Sequence, residues 1–361
     1  MTSSSPLLAD DLGTRVRTML VTFLAEQRQV LSAVAPECSE MVDAVSDLLS
    51  VGKRLRPAFC YWGARGGGRD GDDALVRAAV GLELFQAAAL IHDDVMDDSD
   101  TRRGMPAVHR RFAAQHHERG RLGDGERYGL AGAVLTGDLC LAWSGQLFST
   151  SGLDAPALDR ARPMFDRMRT ELMAGQFLDM LGQSDPHDLD ADEAIERARR
   201  VIRYKSAKYT IEHPLMIGGL LAGADETLLA AYSEFGLDAG EAFQLRDDLL
   251  GVFGDPSHTG KPAGDDLREG KRTVLIACAR RSATAAEART ISRLLGDPGL
   301  DAAGVAELQA IIRRTEAPLE VEQMIADLTK AAHQALASAR MDDVARGVLS
   351  DLVTAATTRA R

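Results

Sequence analysis

The amino-acid sequence predicts a single all-α domain of about a dozen helices. Apolar residues recur at a spacing near 3.6 through almost the whole chain, which is the period of an amphipathic helix. Strict alternation of polar and apolar residues, the pattern of a half-buried strand, is hard to find. Aromatic residues make up only 5% of the chain while alanine and leucine abound, and this composition favours helices over an all-β core.

The predicted helices follow one another along the chain, and several are long. The apolar spacing places them at roughly 11–33, 39–50, 55–65, 72–98, 130–150, 157–182, 191–222, 226–253, 272–296, 301–315 and 318–358. Glycine, proline and polar residues between them give ordinary turn signals. His116 and His117 fall in such a polar stretch and are predicted to lie in a solvated loop. No linker is long enough to separate two folded halves, so residues 11–361 are predicted to form one domain after a flexible tail at 1–10.

Composition excludes several classes of function. The chain has 361 residues, 45% hydrophobic and 27% charged, as is typical of a soluble globular protein. Its net charge of −12 argues against nucleic acid as a main partner, because phosphate backbones demand basic surfaces. The first residues lack the basic and apolar regions of a signal peptide, and no long uncharged apolar run predicts a transmembrane segment. The four cysteines show no zinc-binding spacing, which favours reduced thiols and a cytoplasmic location.

Two acidic clusters lie inside long apolar helical runs, DDVMD at 93–97 and DDLLG at 247–251. Asp93 and Asp97 are four residues apart and therefore share one face of a helix. Several like charges buried on a helix are costly unless a cation compensates them. Mg²⁺ binds proteins through one or two carboxylates plus substrate phosphates, so the two clusters predict sites for a hard divalent cation.

Cationic residues lie close in the chain to both acidic clusters. Arg102 and Arg103 come within one loop of Asp97. The other candidates are Lys53, Arg54 and Arg56 in GKRLRP, Lys205 and Lys208 before the second cluster, and Lys261 and Lys271 after it. Taken alone, GKRLRP is also compatible with a solvated basic loop. Carboxylate-bound Mg²⁺ with guanidinium groups beside it is, however, how a protein clamps a diphosphate, and a purely structural acidic site would not need these cations.

Six segments together resemble a known family. They occur in the order GKRLRP, FQAAALIHDDVMDDSDTRRG, GQFLDM, YKSAKYT, FQLRDDLLGVFGD and GKPAGDDLREGKRTVL, within about residues 45–280. The chain is similar to trans-isoprenyl diphosphate synthases, in particular to bacterial geranylgeranyl and farnesyl diphosphate synthases. The resemblance implies the isoprenoid synthase fold, in which mostly antiparallel helices surround a deep central cavity, and it implies a homodimer.

The resemblance also implies a set of metal ligands for about three Mg²⁺ ions, with Mn²⁺ able to substitute. The implied ligands are Asp93 and Asp97 for two ions, Asp247 for the third, Asp94 and Asp248 in support, and Asp265 through coordinated water. Position 251 is Gly where the family's second DDxxD motif ends in Asp. This departure leaves open how coordination of the third ion is completed.

Two diphosphate sites follow from the same resemblance. The ions, with Arg102, Lys205 and Lys261, would bind the diphosphate of an allylic substrate. The residues implied for isopentenyl diphosphate are Gly52, Lys53, Arg56, Gln86 and Arg103. Ser206 and Gln244 would present dipoles near the reacting carbons.

The implied function is prenyl transfer in isoprenoid biosynthesis. Isopentenyl diphosphate would condense head to tail with dimethylallyl, geranyl or farnesyl diphosphate, and the expected product is geranylgeranyl diphosphate. Alternatives are a farnesyl synthase, a synthase of C25 or longer chains, a class I terpene cyclase and a non-catalytic partner subunit. GKRLRP and DDLLG argue against the cyclase, which usually carries a different second motif, and the nearly intact acidic motifs argue against the partner subunit.

Product length is predicted from the helix that carries Asp93. Ala89 lies about 6 Å and Phe85 about 12 Å below Asp93, at roughly 1.5 Å per residue. In related farnesyl synthases, bulky aromatic residues near Ala88 and Ala89 close the pocket early. The two alanines therefore predict an open pocket with Phe85 as its floor. The alternative is that Phe85 is an ordinary core residue and other helices set the floor.

Overall fold

The computed structural model describes residues 11–184, 190–254 and 264–358. Within these ranges the chain forms sixteen α-helices, more than the predicted dozen, and the all-α prediction is confirmed. The only strands described form a hairpin of two residues on each side. The predicted tail at 1–10 and Lys261 lie outside the described residues.

Contacts within the chain define two compact units. The first comprises Met1–Tyr61 and Asp70–Leu158, and the second comprises Trp62–Arg69 and Asp159–Arg361. That residues 11–361 form one domain stays a prediction.

The first unit is built around one buried helix, α4. The elements of this unit are α1 (Leu12–Val34), a 3₁₀ turn (Pro36–Cys38), α2 (Ser39–Ser50), the start of α3 (Leu55–Gly66), α4 (Asp73–Met96), β1 (Thr101–Arg102), β2 (Met105–Pro106), α5 (Val108–Glu118), α6 (Gly125–Ser149) and the start of α7 (Ala155–Ser184). Helix α4 packs against α1, α5 and α6. Asp72 caps its N-terminus by accepting a hydrogen bond from Leu75 N at 2.8 Å. Gly81 brings α4 close to α6, because a Cβ atom there would lie 2.9 Å from Ser144 O.

The prediction of a solvated loop at His116 and His117 was wrong. Both residues belong to the last turn of α5. The His116 side chain is buried, with its ring centroid 5.1 Å from that of Tyr128 and its Nε2 3.2 Å from Leu122 O. Helix α5 is rich in polar residues, and its narrow apolar face, which includes Phe112, was too short to stand out in the sequence.

The second unit is built around another long helix, α10. The elements of this unit are the rest of α7, α8 (Ala191–Val201), a π-helical segment (Ile202–Glu212), α9 (His213–Ala222), α10 (Glu226–Phe253), α11 (Asp265–Arg268), α12 (Val274–Ser282), α13 (Ala285–Leu294), α14 (Ala302–Arg314), α15 (Ala317–Ala337) and α16 (Asp343–Thr357). Helix α10 packs against the π-helical segment and α15. Arg246 on α10 donates to Glu322 Oε1 at 2.7 Å and to Thr357 O at 2.8 Å, which ties three helices together.

Two long predicted helices are each two helices in the structure. The predicted helix at 272–296 is broken between α12 and α13, where Thr284 and Glu287 form a capping box that starts the second helix. The predicted helix at 318–358 is broken before α16, which Asp342 caps. Because these breaks contain no proline and fall within a continuous apolar pattern, periodicity alone could not locate them.

Among the described residues, α4 alone is long and apolar enough to cross a membrane by length and composition. Its most apolar stretch is 78% buried inside the protein, as expected of a core helix.

Candidate active site

The first acidic cluster lies at the C-terminal end of α4. Asp93 and Asp94 belong to its last turn, and Asp97 is its C-cap, whose N–H donates to Asp93 O at 2.8 Å. Asp94 is buried, and the other two residues are half-buried. The C-terminal end of a helix carries a partial negative charge of its own. Three carboxylates at this end therefore strongly favour a positive charge nearby.

Arg102 supplies part of that charge. Its Nε donates to Asp94 Oδ1 at 2.6 Å, and its Nη2 donates to Asp93 Oδ2 at 3.2 Å. Its side chain is 15% exposed. A guanidinium carries five N–H donors, so Arg102 can orient these carboxylates and also donate to a phosphate.

Arg103 points to a different part of the first unit. It occupies the turn between β1 and β2 with φ of 56°, next to Gly104 with φ of 77°, as in a type I′ hairpin turn. Its Nη1 donates to the carbonyl oxygens of Leu48 at 2.7 Å and Val51 at 2.5 Å. The left-handed conformation costs a non-glycine residue about 1–2 kcal/mol, and these hydrogen bonds help to offset that cost.

Gly52 lies against the Arg103 side chain. Its φ is 144°, and a Cβ atom there would lie 3.0 Å from Arg103 Nη2, so glycine is favoured on both counts. Burial lowers the pKa of Arg103, and the nearby charges of Arg54, Arg56 and Arg102 act in the same direction, partly opposed by a carboxylate. This part of the first unit is therefore a region of concentrated positive charge, suited to an anion.

The three cations of GKRLRP have different environments. Arg54 is buried, with hydrogen bonds to Glu83 and to Leu49 O, so it is part of the structural core. Lys53 is exposed and Arg56 is half-buried in the first turn of α3. The N-terminus of a helix attracts anions, so Arg56 lies where a bound anion is favoured.

The π-helical segment positions Lys205 and Ser206 in the second unit. Such segments are rare and frequently found at functional sites. Neighbouring helices approach its backbone through glycines. A Cβ atom at Gly175 on α7 would lie 2.5 Å from Lys205 N, and one at Gly240 on α10 would lie 2.5 Å from Ala207 Cα. The segment is therefore fixed by close packing on two sides.

Two hydrogen-bonded groups of side chains include Lys205 and Ser206. Ser206 Oγ donates to Gln244 Oε1, and Gln244 Nε2 donates to Asp248 Oδ1 at 2.8 Å. Lys205 Nζ donates to Asp179 Oδ2 at 2.6 Å. No sequence pattern pointed to Asp179, although it lies three residues after the glutamine of GQFLDM. Its carboxylate orients Lys205.

The carboxylates of the second acidic cluster repel one another. Asp248 is 5% exposed, and its burial raises the pKa of its carboxyl to about 8. The charges of Asp266 and Asp247 raise it further, whereas Gln244 and Lys271 oppose the change. A cation bound here would remove the repulsion.

The space next to Gly251 is filled by a carboxylate from another helix. A Cβ atom at position 251 would overlap Oδ2 of Asp266, in the first turn of α11. Lys271 Nζ lies 3.6 Å from Asp266 Oδ1. Asp266 therefore brings a carboxylate to the place where the missing fifth residue of the motif would begin. The neighbouring Asp265 was predicted as a site residue from the sequence, and Asp266 was not.

The carboxylates of each acidic cluster are chemically suited to a magnesium ion. The candidate ligands all offer oxygen atoms, which hard cations such as Mg²⁺ prefer. No three carboxylate, histidine or cysteine side chains in the described part of the chain already converge as a complete metal site. Mg²⁺ usually keeps several waters and binds substrate phosphates, so incomplete protein coordination is expected of a site that fills with its substrate.

The remaining predicted residues are placed as follows. Gln86, Phe85 and Ala88 are buried in α4, and Ala89 and Asp265 are half-buried. The site roles of these residues stay predictions.

Comparison with known proteins gives concordant results. A sequence model of the polyprenyl synthetase family matches residues 38–312. A geranylgeranyl diphosphate synthase from Mycobacterium tuberculosis is 33% identical over 73% of this chain and 69% of its own length. A geranylfarnesyl diphosphate synthase from Aeropyrum pernix is 34% identical over 64% of this chain and 67% of its own length.

A solved structure is similar along nearly the entire chain. It is a geranylgeranyl pyrophosphate synthase from Corynebacterium glutamicum, complexed with isoprenyl diphosphate and magnesium. The TM-score is 0.92 and the identity 39%, with 97% of this chain and 99% of the other covered. The all-α fold and these similarities define the class, which is that of the trans-prenyl diphosphate synthases, a group of prenyltransferases. The chain belongs to the polyprenyl synthetase family.

Proposed function

We propose that this protein condenses isopentenyl diphosphate head to tail with dimethylallyl, geranyl or farnesyl diphosphate, and that geranylgeranyl diphosphate is its main product. One observation supports two diphosphate sites. The neighbouring residues Arg102 and Arg103 turn to different partners, the first to the carboxylates of α4 and the second to the Gly52 loop. A cyclase ionises a single diphosphate and would need only one of these two cationic groups.

In the proposed first step, the allylic carbon–oxygen bond breaks and its electron pair leaves with pyrophosphate. Arg102 and Lys205 donate hydrogen bonds to the leaving group, and the carboxylates already bound to them hold them in position. Bound Mg²⁺ would supply Lewis-acid neutralisation of the pyrophosphate charge. The residues proposed to hold it are Asp93, Asp97 and Asp247, supported by Asp94, Asp248, Asp265 and Asp266.

In the second step, the double bond of isopentenyl diphosphate attacks the allylic cation and forms the new carbon–carbon bond. The condensed cation then loses a proton from C2 of the isopentenyl unit to the released pyrophosphate, which restores a double bond. The Ser206 hydroxyl donates a hydrogen bond to Gln244 Oε1. The lone pairs of Ser206 Oγ therefore remain available to stabilise positive charge. A hydroxyl dipole stabilises a carbocation without a formal charge that would trap it.

A tracer assay tests this function. Purified protein is incubated with Mg²⁺, labelled isopentenyl diphosphate and each allylic diphosphate in turn, and products are dephosphorylated and separated by chromatography. We expect a C20 alcohol as the main labelled product. A cyclic hydrocarbon would instead indicate a cyclase, and no product from any primer would indicate a non-catalytic subunit. The names of relatives include C20 and C25 synthases, so a C25 product would correct the length and leave the reaction intact.

We also propose a homodimer, because two long helices expose apolar side chains. Leu130, Val134 and Leu135 are exposed on α6, and Phe177 is 60% exposed on α7. A second copy of the chain would remove these side chains from water. Light scattering should give twice the monomer mass of 38.8 kDa, and Leu135→Glu should lower it to that of the monomer. Leu122→Glu, in a loop, is the control that should remain dimeric.

A cytoplasmic location is proposed on the state of the cysteines. All four are unpaired, and three of them are buried. Burial raises the pKa of Cys60 to about 12, which keeps this thiol protonated and unreactive. Fractionation of cells with an antibody to the protein would test the location.

A further inference from the structure

A group of charged side chains lies on the π-helical segment and takes no part in the reaction proposed above. Lys208 Nζ is 3.3 Å from Glu171 Oε2 on α7 and 3.1 Å from Glu212 Oε2 at the end of the segment. It also lies 5.8 Å from the ring centroid of Tyr204, the neighbour of Lys205. Lys208 therefore contacts residues near both ends of the segment and one residue of the adjacent helix α7.

The carboxylate of Glu212 is also bound by α10. Ser233 Oγ donates to Glu212 Oε1 at 2.7 Å, and Glu212 is only 5% exposed. The next residue, His213, is buried. Burial and the charge of Lys208 lower the pKa of His213 to about 3, so its imidazole carries no charge at neutral pH. The charge that compensates the buried Glu212 carboxylate at ion-pair distance is therefore that of Lys208.

Buried ion pairs such as Lys208–Glu212 contribute little net stability, because the cost of removing both charges from water offsets their attraction. Removal of one partner alone is costly, because it leaves an unpaired charge inside the protein. What a buried pair can do is to favour one backbone arrangement over another. For this pair, the arrangement in question is the π-helical form of residues 202–212.

The spacing of two glycines on α10 shows that the packing requires the π-helical form. A Cβ atom at Gly236 would lie 2.5 Å from Glu212 Cα, and one at Gly240 would lie 2.5 Å from Ala207 Cα. The glycines are four residues apart, about one α-helical turn, whereas Glu212 and Ala207 are five residues apart. An α-helical segment would instead bring position 208 opposite Gly240.

The π-helical form also determines where two groups of the proposed reaction lie. Lys205 Nζ donates to Asp179 on α7, and Ser206 Oγ donates to Gln244 on α10. The turn of a π-helix is wider than that of an α-helix, since each N–H bonds to the residue five positions earlier instead of four. A change to the α-helical form would therefore turn Lys205 and Ser206 away from these partners.

We propose that Lys208 and Glu212 are positioning residues, which hold the segment in its π-helical form and thereby keep Lys205 and Ser206 in place for the reaction. The roles of Lys205 and Ser206 rest on the proposed function, whereas the effect of the ion pair on the backbone does not.

The double variant Lys208→Met/Glu212→Gln tests the proposal. It removes both charges together, and Glu171 keeps access to water, so the thermal midpoint should stay within a few degrees of that of the wild type. The kcat should nevertheless fall about 10²-fold, which is the loss expected when a catalytic group is misplaced by roughly 1 Å. The Michaelis constant for isopentenyl diphosphate should not change, because the residues proposed to bind it belong to the first unit.

Two controls separate positioning from general packing. Lys208→Arg keeps the positive charge and should retain most of kcat. Arg199→Met/Glu241→Gln removes another ion pair of the second unit, which joins α8 to α10 at 2.5 Å, and should leave kcat unchanged.

A crystal structure of the double variant gives a readout that needs no turnover. We expect residues 202–212 to form α-helical hydrogen bonds and Lys205 Nζ to lie beyond hydrogen-bond distance of Asp179. If the double variant does not fold, Ser233→Ala takes its place, since it removes the hydrogen bond from α10 without changing a charge. It should lower kcat severalfold at an unchanged Michaelis constant for isopentenyl diphosphate.

Four results would overturn the proposal. They are a π-helical segment in the double variant, wild-type kcat in the double variant, a loss in Lys208→Arg as large as in the double variant, and wild-type kcat in Ser233→Ala. An inactive wild-type protein would refute the proposed function, whereas the crystal structure of the variant would still show whether the ion pair holds the π-helical form.

Discussion

Arg102 and Lys205 each have a carboxylate bound before any substrate arrives. Arg102 donates hydrogen bonds to Asp94 and Asp93, and Lys205 donates one to Asp179. Such pairs hold a long side chain in one geometry, so less rotamer entropy is lost when a diphosphate binds. The types of residue in the candidate site could be predicted from the sequence, but the different roles of adjacent residues could not. Nothing in the GKRLRP pattern shows that Arg54 turns inward to Glu83.

Loss of a proposed metal ligand should abolish turnover without unfolding the protein. We expect Asp93→Ala and Asp247→Ala each to lower kcat by orders of magnitude, because the charge of the leaving pyrophosphate would be poorly neutralised. Turnover is measured with the tracer assay, and the fold is checked by circular dichroism. Asp327→Ala, an exposed aspartate on α15, is the control. Near-normal turnover in either first variant would show that its carboxylate does not serve the reaction.

The two cationic groups should affect different substrates. Arg56→Ala should raise the Michaelis constant for isopentenyl diphosphate more than that for the allylic substrate. Lys205→Ala should do the reverse or lower kcat, because its charge is needed as pyrophosphate leaves. Initial rates with each substrate varied in turn measure the split. Equal effects on both constants would mean that the two diphosphate sites are misassigned.

The positions and directions of the helices determine which side chains lie next to each acidic cluster. Asp247 and Asp248 were visible in the sequence because they interrupt an apolar helix. The sequence could not show whether Asp265 or Asp266 contacts Gly251. The orientation of α11 decides this, and in the structure it is Asp266. The π-helical segment was equally hidden, because its sequence continues the helical pattern on both sides.

The contact between Gly251 and Asp266 predicts that exchanging the two residues is tolerated better than changing Gly251 alone. Gly251→Asp should destabilise the protein by about 1–3 kcal/mol through overpacking, with a further loss from repulsion between the two carboxylates. The double variant Gly251→Asp/Asp266→Gly should recover most of the thermal midpoint, because it moves one carboxylate and removes the overlap. Gly251→Ala is the control for overlap without charge. Additive effects of the two substitutions, with no recovery, would contradict direct contact.

The buried position of Asp248 predicts a pH dependence in the metal-free protein. Its pKa is about 8 in the folded protein and ~3.9 when unfolded. Between these values the unfolded chain has released a proton that the folded protein still holds, so stability falls as the pH rises from about 4 to about 8. Urea unfolding in EDTA should show this fall and Asp248→Asn should reduce it. Metal binding needs the ionised carboxylate, so added Mg²⁺ with pyrophosphate should release a proton and reverse the loss at pH 8.

For the whole molecule, the strongly negative net charge contrasts with the anionic substrates that we propose. Attraction of a diphosphate must therefore arise locally, from bound cations and from the concentrated arginines around Arg103. The helical class was predictable because the 3.6-residue pattern persists through the chain. The division into two units was not, since no composition change marks Tyr61 or Leu158 as a boundary.

The length of the product tests which residues close the pocket that holds the growing prenyl chain. If the growing chain runs along α4 away from Asp93, Ala89→Phe should shorten the main product, because a ring about 6 Å from the carboxylates would stop elongation. Phe85→Ala should lengthen it beyond C20, because Phe85, about 12 Å away, would no longer close the pocket. Since Phe85 is fully buried, this change should also cost ~3–5 kcal/mol, and Phe85→Leu is the milder variant.

Phe23→Ala is the matched control for that lost packing. Phe23 is an equally buried residue on α1, whose ring packs edge-on against Trp143 at 6.2 Å. It should destabilise the protein to a similar degree while leaving the product at C20, and chromatography of the dephosphorylated products compares all four variants. If Phe23→Ala shifted the distribution as much as Phe85→Ala, product length would follow general loosening of the core. If neither α4 position changed it, other helices would set the floor, and Phe85 would be an ordinary core residue.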